Sequence, residues 1–467
     1  MVFQGLKPKF FRALSGAFLL RSIMPGGMGW ANVLRRTWAT FDPMRLGCAA
    51  LLLALLFAAS SVYGASQPQE TTQQTTQTPQ PSASTAQATP AATPSSGAEV
   101  ANAASDSGAP GSSPNAYDDI VVTAVGDVML GTTFPDESTL PPNDGAGLLA
   151  EVTPILKHGD IVYGNLEGPL TDGGNSAKCH GKKEGTCFAF RVPTRYNKYL
   201  KEAGFTVMGL ANNHAMDFGQ DGRTSSRQAL DAVQIAHTGE VGDIARLTVK
   251  GRKIDVIAFA TYPGAYNFLD LDAALQTISA ARAEADMVIV GFHGGAEGAT
   301  HQHVLEGDEM FLSEDRGDLR KFTHAAIDAG ADLVLGSGPH VVRAMEVYKG
   351  KLIAYSLGNF ATYGPFNLNA ENGLSLVLEA HLAPDGTFLG GRVYPVKQEK
   401  PGGPKLDPAR QILPVLRALS STDFGPSAVV VGPQGKLWLP GTVIPPCNNA
   451  PDLLEQRLDQ SPCGIFP

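Results

Sequence analysis

Met287-Val288-Ile289-Val290-Gly291-Phe292-His293-Gly294 is a short apolar run that stops at a glycine and then presents a histidine. Four other stretches repeat that grammar. Ile120 to Val125 leads into Gly126-Asp127, and Ile161-Val162-Tyr163 leads into Gly164-Asn165-Leu166-Glu167. Val207 to Leu210 leads into Ala211-Asn212-Asn213-His214-Ala215-Met216-Asp217, and Leu333-Val334-Leu335 leads into Gly336-Ser337-Gly338-Pro339-His340. Short apolar runs bounded by turn residues read as strands. In open α/β sheets, ligands bind at the carboxyl ends of strands. Five such ends bearing nitrogen and oxygen donors predict one convergent metal site.

Between these runs lie helical patterns at 147–158, 196–203, 222–236, 270–283 and 315–329. The last carries Leu319, Phe322, Ala326 and Ile327 at helical spacing and stops at Gly330. Strand patterns recur at 253–260, 352–356, 374–382 and 436–439, and 412–419 reads as a short helix. Strands alternating with helices predict an α/β fold with a largely parallel sheet.

The flanks differ from this domain. Residues 1–45 carry Lys7, Lys9, Arg12, Arg21, Arg35, Arg36 and Arg45 against one acid, Asp42. An apolar run from Cys48 to Ala59 follows, short for a bilayer span of about 20 residues. Basic residues, an apolar core and small residues after it predict an export signal. The other reading of 1–64 is an uncleaved anchor, a transmembrane helix with its basic side inside. Residues 65–116 are Ser, Thr, Gln, Pro and Ala with few bulky apolar side chains, so they read as a disordered tether. The folded domain is expected over 117–395, and 396–467 forms a Pro- and Gly-rich C-terminal extension.

The net charge of −9 gives no basic face for nucleic acid, and the Lys182-Lys183 pair reads as a solvated loop. With Cys48 set aside in the leader, Cys179, Cys187, Cys447 and Cys463 remain. An even number in an exported domain predicts disulfides. Three connectivities are open; pairing neighbours, Cys179 with Cys187 and Cys447 with Cys463, closes the shortest loops.

A lone Gly-Asp after a strand is usually a turn, and a lone histidine is usually a satisfied core or loop residue. The Asn212-Asn213-His214 cluster serves packing poorly, and five donor-bearing ends together outweigh each bland reading. Imidazole favours transition metals, whereas carboxylate and amide oxygens tolerate Mn or Mg. The side-chain heads of Asp127, Glu167, Asn213, His293 and His340 are expected within about 6 Å of a common point, since metal bonds are roughly 2.0–2.2 Å long. His214 belongs beside them, outside the ligand set. Asn165, Asn212, Glu297 and Asn359 are expected to touch substrate.

Six ordered segments carry a resemblance. Gly126 to Gly131, Gly164 to Glu167, Ala211 to Gly219, His293 to Glu297, Pro339-His340-Val341 and Tyr355 to Phe360 resemble the CapA family. These are bacterial capsule and poly-γ-glutamate synthesis proteins, and they look like a branch of the calcineurin-like metallophosphoesterases. The resemblance implies an α/β/β/α fold: a two-sheet sandwich flanked by helices. It implies one or two divalent ions (Mn, Zn or Fe) on Asp127, Glu167, Asn213, His293 and His340, with Glu167 bridging. His214, assisted by Asp217, takes the catalytic role. Two positions depart from the pattern. Met129 stands where phosphoesterases have histidine, and Ser337-Gly338 stand where many relatives have histidine before Pro-His.

The expected activity is metal-dependent hydrolysis of a phosphoester or related anionic bond in the cell envelope, alongside membrane capsule-synthesis machinery. The alternative is an accessory that binds or transfers an anionic polymer, polyglutamate or polysaccharide, without catalysis. The expected location is exported, membrane-tethered or periplasmic/extracellular.

Overall fold

The computed structural model describes residues 118–181 and 187–444. The expected leader, tether, Cys447 and Cys463 lie outside them, as do Lys182 and Lys183. Among the described residues, no helix is long and apolar enough to cross a membrane.

Two sheets carry the domain. The first is centred on Ile120–Met129, with Ile161–Leu166, Val207–Gly209 and Ala236–Thr238 following in parallel on one side. On the other side Leu374–Leu382 and then Phe388–Lys397 run antiparallel. The second sheet has Arg252–Ala260, Met287–His293, Leu333–Ser337 and Lys351–Ala354 in parallel, with antiparallel strands Ala245–Val249 and Met345–Tyr348 at its edges. The expected parallel character therefore holds in the middle of each sheet and gives way toward the edges. Parallel strands need crossovers, which the helices supply; the later strands return by hairpins and so run antiparallel.

Alternation along each strand explains the layers. Ile120, Val122 and Ala124 face Met287, Ile289, Leu333 and Leu335 in one core between the sheets. The intervening Val288, Val290 and Val334 face outward against Ile278, Phe322 and Ala326, from helices Leu271–Glu284 and Leu319–Asp328. On the far side Val162 and Met208 pack against Leu200 and Leu230, from helices Asn197–Ala203 and Gly219–Asp231. With a period of two, a strand buried on both faces reads as an unbroken apolar run. The outcome is the helix–sheet–sheet–helix sandwich.

Helix starts follow local chemistry. Asp270 accepts from the Ala273 N–H and Asp318 from the Lys321 N–H, each satisfying a donor that the helix leaves unpaired. The pattern at 147–158 yields only the four-residue helix Thr153–Leu156, the preceding residues forming turns. The expected 222–236 helix instead starts at Gly219 and stops at Asp231, and Ala236 already begins a strand. The 412–419 pattern extends to Phe424.

Register brings the donor-bearing ends level. Asp127 pairs with both Asn165 and Asn359 in the first sheet. His293 pairs with Ser337 in the second. Asp127 does not sit on a turn: the strand continues to Met129, with a register shift between Asp127 and Val128. A Cβ on Gly126 would stand 1.9 Å from the Gly358 carbonyl oxygen, so only glycine lets that backbone approach.

Candidate metal centre

One carboxylate oxygen of Asp127, one of Glu167 and one imidazole nitrogen of His340 lie within 4.8 Å of one another. His293 Nδ1 stands 3.9 Å from Asp127 Oδ1. Asp127, Glu167 and His293 are fully buried, whereas the His340 side chain is 15% exposed. Asn213 and His214 line the same cavity as His340, Glu297 and Asn359, a space of about 400 Å³. Asp127, Glu167, His293 and His340 therefore lie together, and Asn213 and His214 line the cavity onto which His340 opens.

The hydrogen bonding is incomplete in a selective way. Both carboxylate oxygens of Glu167, Oδ2 of Asp127, Oδ1 of Asn213 and Nε2 of His293 are buried with no hydrogen-bond partner among the described residues. Orphaned buried polar atoms are rare, because each forfeits its hydration without return. His340 Nδ1 is 3.1 Å from Asp127 Oδ2, yet it hydrogen-bonds Asn359 Oδ1 at 3.0 Å. The oxygen thus gains charge stabilisation without a donor. His340 Nε2 also stands 3.5 Å from Glu167 Oε1. Carboxylate oxygens of two residues, an amide oxygen and an imidazole nitrogen, all without a hydrogen bond, form a donor set that a divalent cation fits.

The remaining hydrogen bonds orient these donors. Asn165 Nδ2 donates to Asp127 Oδ1 at 2.8 Å and lies 3.2 Å from His293 Nδ1. Asn212 Nδ2 donates to Asn165 Oδ1 and to the Leu166 carbonyl, while its own Oδ1 accepts from the His214 backbone. Expected at the substrate, Asn165 and Asn212 instead commit their amides to the protein and brace the ligands, a role that matters to metal sites. Asn359 lines the cavity but is also committed, holding His340 through both its amide atoms. Ser337 Oγ donates to the Phe292 carbonyl and lies 3.3 Å from His293 Nδ1. It can accept that N–H, the tautomer that leaves Nε2 open. Met129 is buried and its sulfur accepts the Gly131 N–H, a packing role.

His340 sits at φ 59°, in the left-handed region, where a side chain crowds its own backbone. Its carbonyl accepts from Asn359 and Asn372 at 3.2 and 3.3 Å, and these bonds hold it there.

The electrostatics follow from burial. Burial pushes the Glu167 carboxyl well above the usual range; His340 opposes this, and Asp127 and Glu297 reinforce it. Burial pushes His293 well below the usual imidazole value. Burial also pulls His340 down, but Glu167, Asp127 and Glu297 outweigh it and leave that imidazole at about 10. For Glu297 burial is again the largest influence, raising it, yet His340 and Arg316 together hold the carboxyl below its usual value.

His214 is held from three sides. Its Nδ1 is 2.7 Å from Asp217 Oδ2, its ring stacks on Phe190 at 4.2 Å, and Lys178 Nζ lies 3.1 Å from Nδ1. Burial lowers its pKa against the pull of Asp217, and Lys178 lowers it further. Cys179 and Cys187 form the expected disulfide, with Cα atoms 5.6 Å apart, and Lys178 stands immediately before it. Lys178, Phe190 and Arg316 carry no role in the sequence reading, and Ser337 enters it only as a departure from the family pattern. Lys178 carries a signal in its adjacency to Cys179, and Ser337 in its place two residues before Pro339-His340.

A sequence model described as "Bacterial capsule synthesis protein PGA_cap" matches residues 121–363, just over half of the 467. The chain belongs to that family. Among PGA_cap relatives, "PGA biosynthesis protein CapA" of Bacillus subtilis (strain 168) is 30% identical over 291 residues, covering 58% of this chain and 70% of that protein. "Capsule biosynthesis protein CapA" of Bacillus anthracis is 28% identical over 340 residues, covering 68% of this chain and 75% of that protein. Among solved structures, a 5'-nucleotidase precursor from Thermus thermophilus is similar at a TM-score of 0.34 and 11% identity, over 67% of this chain and 61% of that one. That likeness is loose, spans less than two thirds of the nucleotidase chain, and says nothing of activity.

Proposed function

We propose that this PGA_cap protein is an exported hydrolase of the cell envelope that cleaves a phosphoester or related anionic bond at the Asp127–Glu167–His293–His340 centre. The observation that carries the reading is the set of buried, partnerless donor atoms on Asp127, Glu167, Asn213 and His293. These residues and His340 would hold a divalent cation, Mn, Zn or Fe. When bound, such an ion supplies Lewis acidity toward the oxygens of the anion and makes water a stronger acid.

The chain's own residues do the rest. Hydrolysis joins a water oxygen to phosphorus, breaks the bond from phosphorus to the leaving oxygen, and ends with a proton on that oxygen. In this reading His214 moves this proton. Asp217 engages Nδ1 and fixes the ring, which leaves Nε2 to meet a ligand in the cavity. An anionic group entering beside His214 raises its proton affinity, the condition for delivering a proton to the leaving oxygen. Family membership supports an association with capsule-polymer machinery, and the Cys179–Cys187 disulfide supports an oxidising compartment.

The test is hydrolysis of bis(4-nitrophenyl) phosphate and of envelope polymers by protein loaded with Mn²⁺, Zn²⁺ or Fe²⁺. His214→Ala should keep the metal and lose roughly 10²–10⁴-fold in turnover. Asp127→Ala and His293→Ala should lose the metal. No hydrolysis by loaded wild type would overturn the reading in favour of an accessory that grips an anionic polymer with the same groups.

A further inference from the structure

The cavity has two chemically different walls. At its inner end stand His214, His340, Lys178 and Glu297. Its other lining is apolar: Phe366, buried against the His340 ring at 5.6 Å, and the more exposed Phe188, Phe311 and Leu312. Phe188 is 42% exposed and Leu312 80% exposed, a costly display of large apolar side chains unless something covers them.

The hairpin that carries Leu312 is built against its own backbone preference. Strands Met310–Phe311 and Glu314–Asp315 pair Phe311 with Glu314, so Leu312 and Ser313 alone form the turn. Their φ values are 47° and 69°, the left-handed geometry that such turns usually assign to Asn and Gly. A leucine kept there, with its side chain at the mouth of a cavity, points to use of that side chain.

The two walls are continuous. Phe366 stacks on Phe190 at 5.2 Å, and Phe190 stacks on His214 at 4.2 Å. Phe190 and Phe366 therefore lay an apolar surface beside His214, in the same cavity as Phe311, Leu312 and Phe188. The space is concave and of the size that holds part of a small molecule, not the flat face of a protein partner.

We infer that the ligand of this site is an amphiphilic anion: a phosphoester whose anionic group enters the inner end and whose esterified alcohol is apolar and lies along Phe366, Phe311, Leu312 and Phe188. This rests on the hydrolase reading for the inner end, where a bound cation, with Lys178 and Arg316 on the same lining, would meet the anionic group. The apolar alcohol could be a lipid chain or an aromatic ring, and the two give different responses below.

The test uses the full-length, Mn²⁺-loaded protein and calorimetric binding of methyl, butyl, octyl and phenyl phosphate. Octyl phosphate should bind on the order of 10–100-fold tighter than butyl phosphate, as extra methylenes leave water. A gain that grows along the alkyl series marks a lipid chain; a gain over methyl phosphate confined to phenyl phosphate marks an aromatic alcohol. Leu312→Gly, which also relieves the turn, and Phe188→Ala should each remove most of the gain while leaving methyl phosphate binding unchanged. Equal affinity for all four phosphates, or a full gain in both variants, would overturn the inference and leave the hydrolase reading intact. Failure of every phosphate to bind would overturn the inference, while hydrolysis of bis(4-nitrophenyl) phosphate would separately decide the hydrolase reading.

Discussion

Lys178 Nζ lies 2.5 Å from Asp217 Oδ1, so the residue preceding the disulfide is bonded directly to the carboxylate that orients His214. Asp217 is fully buried, and its other oxygen takes the Phe190 N–H at 2.7 Å. One carboxylate thereby ties together the disulfide loop, the 190 segment and the 212–217 turn.

Lys178→Met should therefore destabilise the fold by about 1–3 kcal/mol, because it leaves a buried carboxylate short of its cation. Urea unfolding of the two proteins would show it. An unchanged midpoint would mean that the contact is incidental.

A second charge cluster lies away from the cavity. His381 Nδ1 is 2.6 Å from Asp119 Oδ2, and Nε2 is 3.3 Å from Glu379 Oε1. Burial lowers the His381 pKa, but Asp119 and Glu379 outweigh it and bring it to about 9, above the ordinary 6.5. Its contribution to stability is thus complete below pH 6.5 and is lost as pH rises through 9. Asp119 works in the opposite sense. It is held below its ordinary 3.8, chiefly by the bond to His381, so its contribution is complete above 3.8 and is lost as pH falls through the lower folded value. Between pH 6 and pH 9.5 wild type should lose roughly 3 kcal/mol more than His381→Gln. Urea midpoints that fall in parallel for both proteins would refute this.

Packing between the sheets makes a third prediction. A Cβ on Gly291 would stand 2.1 Å from Tyr163 Oη, and one on Gly209 would stand 2.5 Å from the same atom. Tyr163 is buried in the core between the sheets, two residues before Asn165. Gly291→Ala should cost about 1–3 kcal/mol by overpacking, and adding Tyr163→Leu should recover part of it. Melting temperatures of the single and double variants measure both effects. A single variant as stable as wild type would mean that the sheets separate freely.

Much of this was legible before the structure. Runs such as Met287–Val290 announce strands because both faces are buried, and the donors Asp127, Glu167, His293 and His340 follow them directly. The strand Ala236–Thr238 carries no such run and was missed; its place comes from pairing with Val207–Gly209. Asn165 and Asn212 looked like substrate contacts because sequence gives residue type, not which neighbour satisfies an amide. Arg316 and Phe190 were invisible because their contacts come from segments far away in the chain. Arg316, for example, reaches Glu297 at 2.8 Å. The disulfide between Cys179 and Cys187 was readable from loop length, whereas its link to His214 through Lys178 was not.

The most direct test of the centre is the stability of wild type and Glu167→Gln, each with and without Mn²⁺. Glu167 is fully buried with neither oxygen hydrogen-bonded; His340 Nε2, 3.5 Å from Oε1, offsets only part of the cost of its charge, which a bound cation would offset further. Metal-free Glu167→Gln should melt at or above metal-free wild type. Mn²⁺ at about a hundred times its Kd should stabilise wild type by about 2.7 kcal/mol and leave the variant nearly unchanged. A wild type indifferent to Mn²⁺, Zn²⁺ and Fe²⁺, together with a metal-free variant that melts lower, would contradict the account.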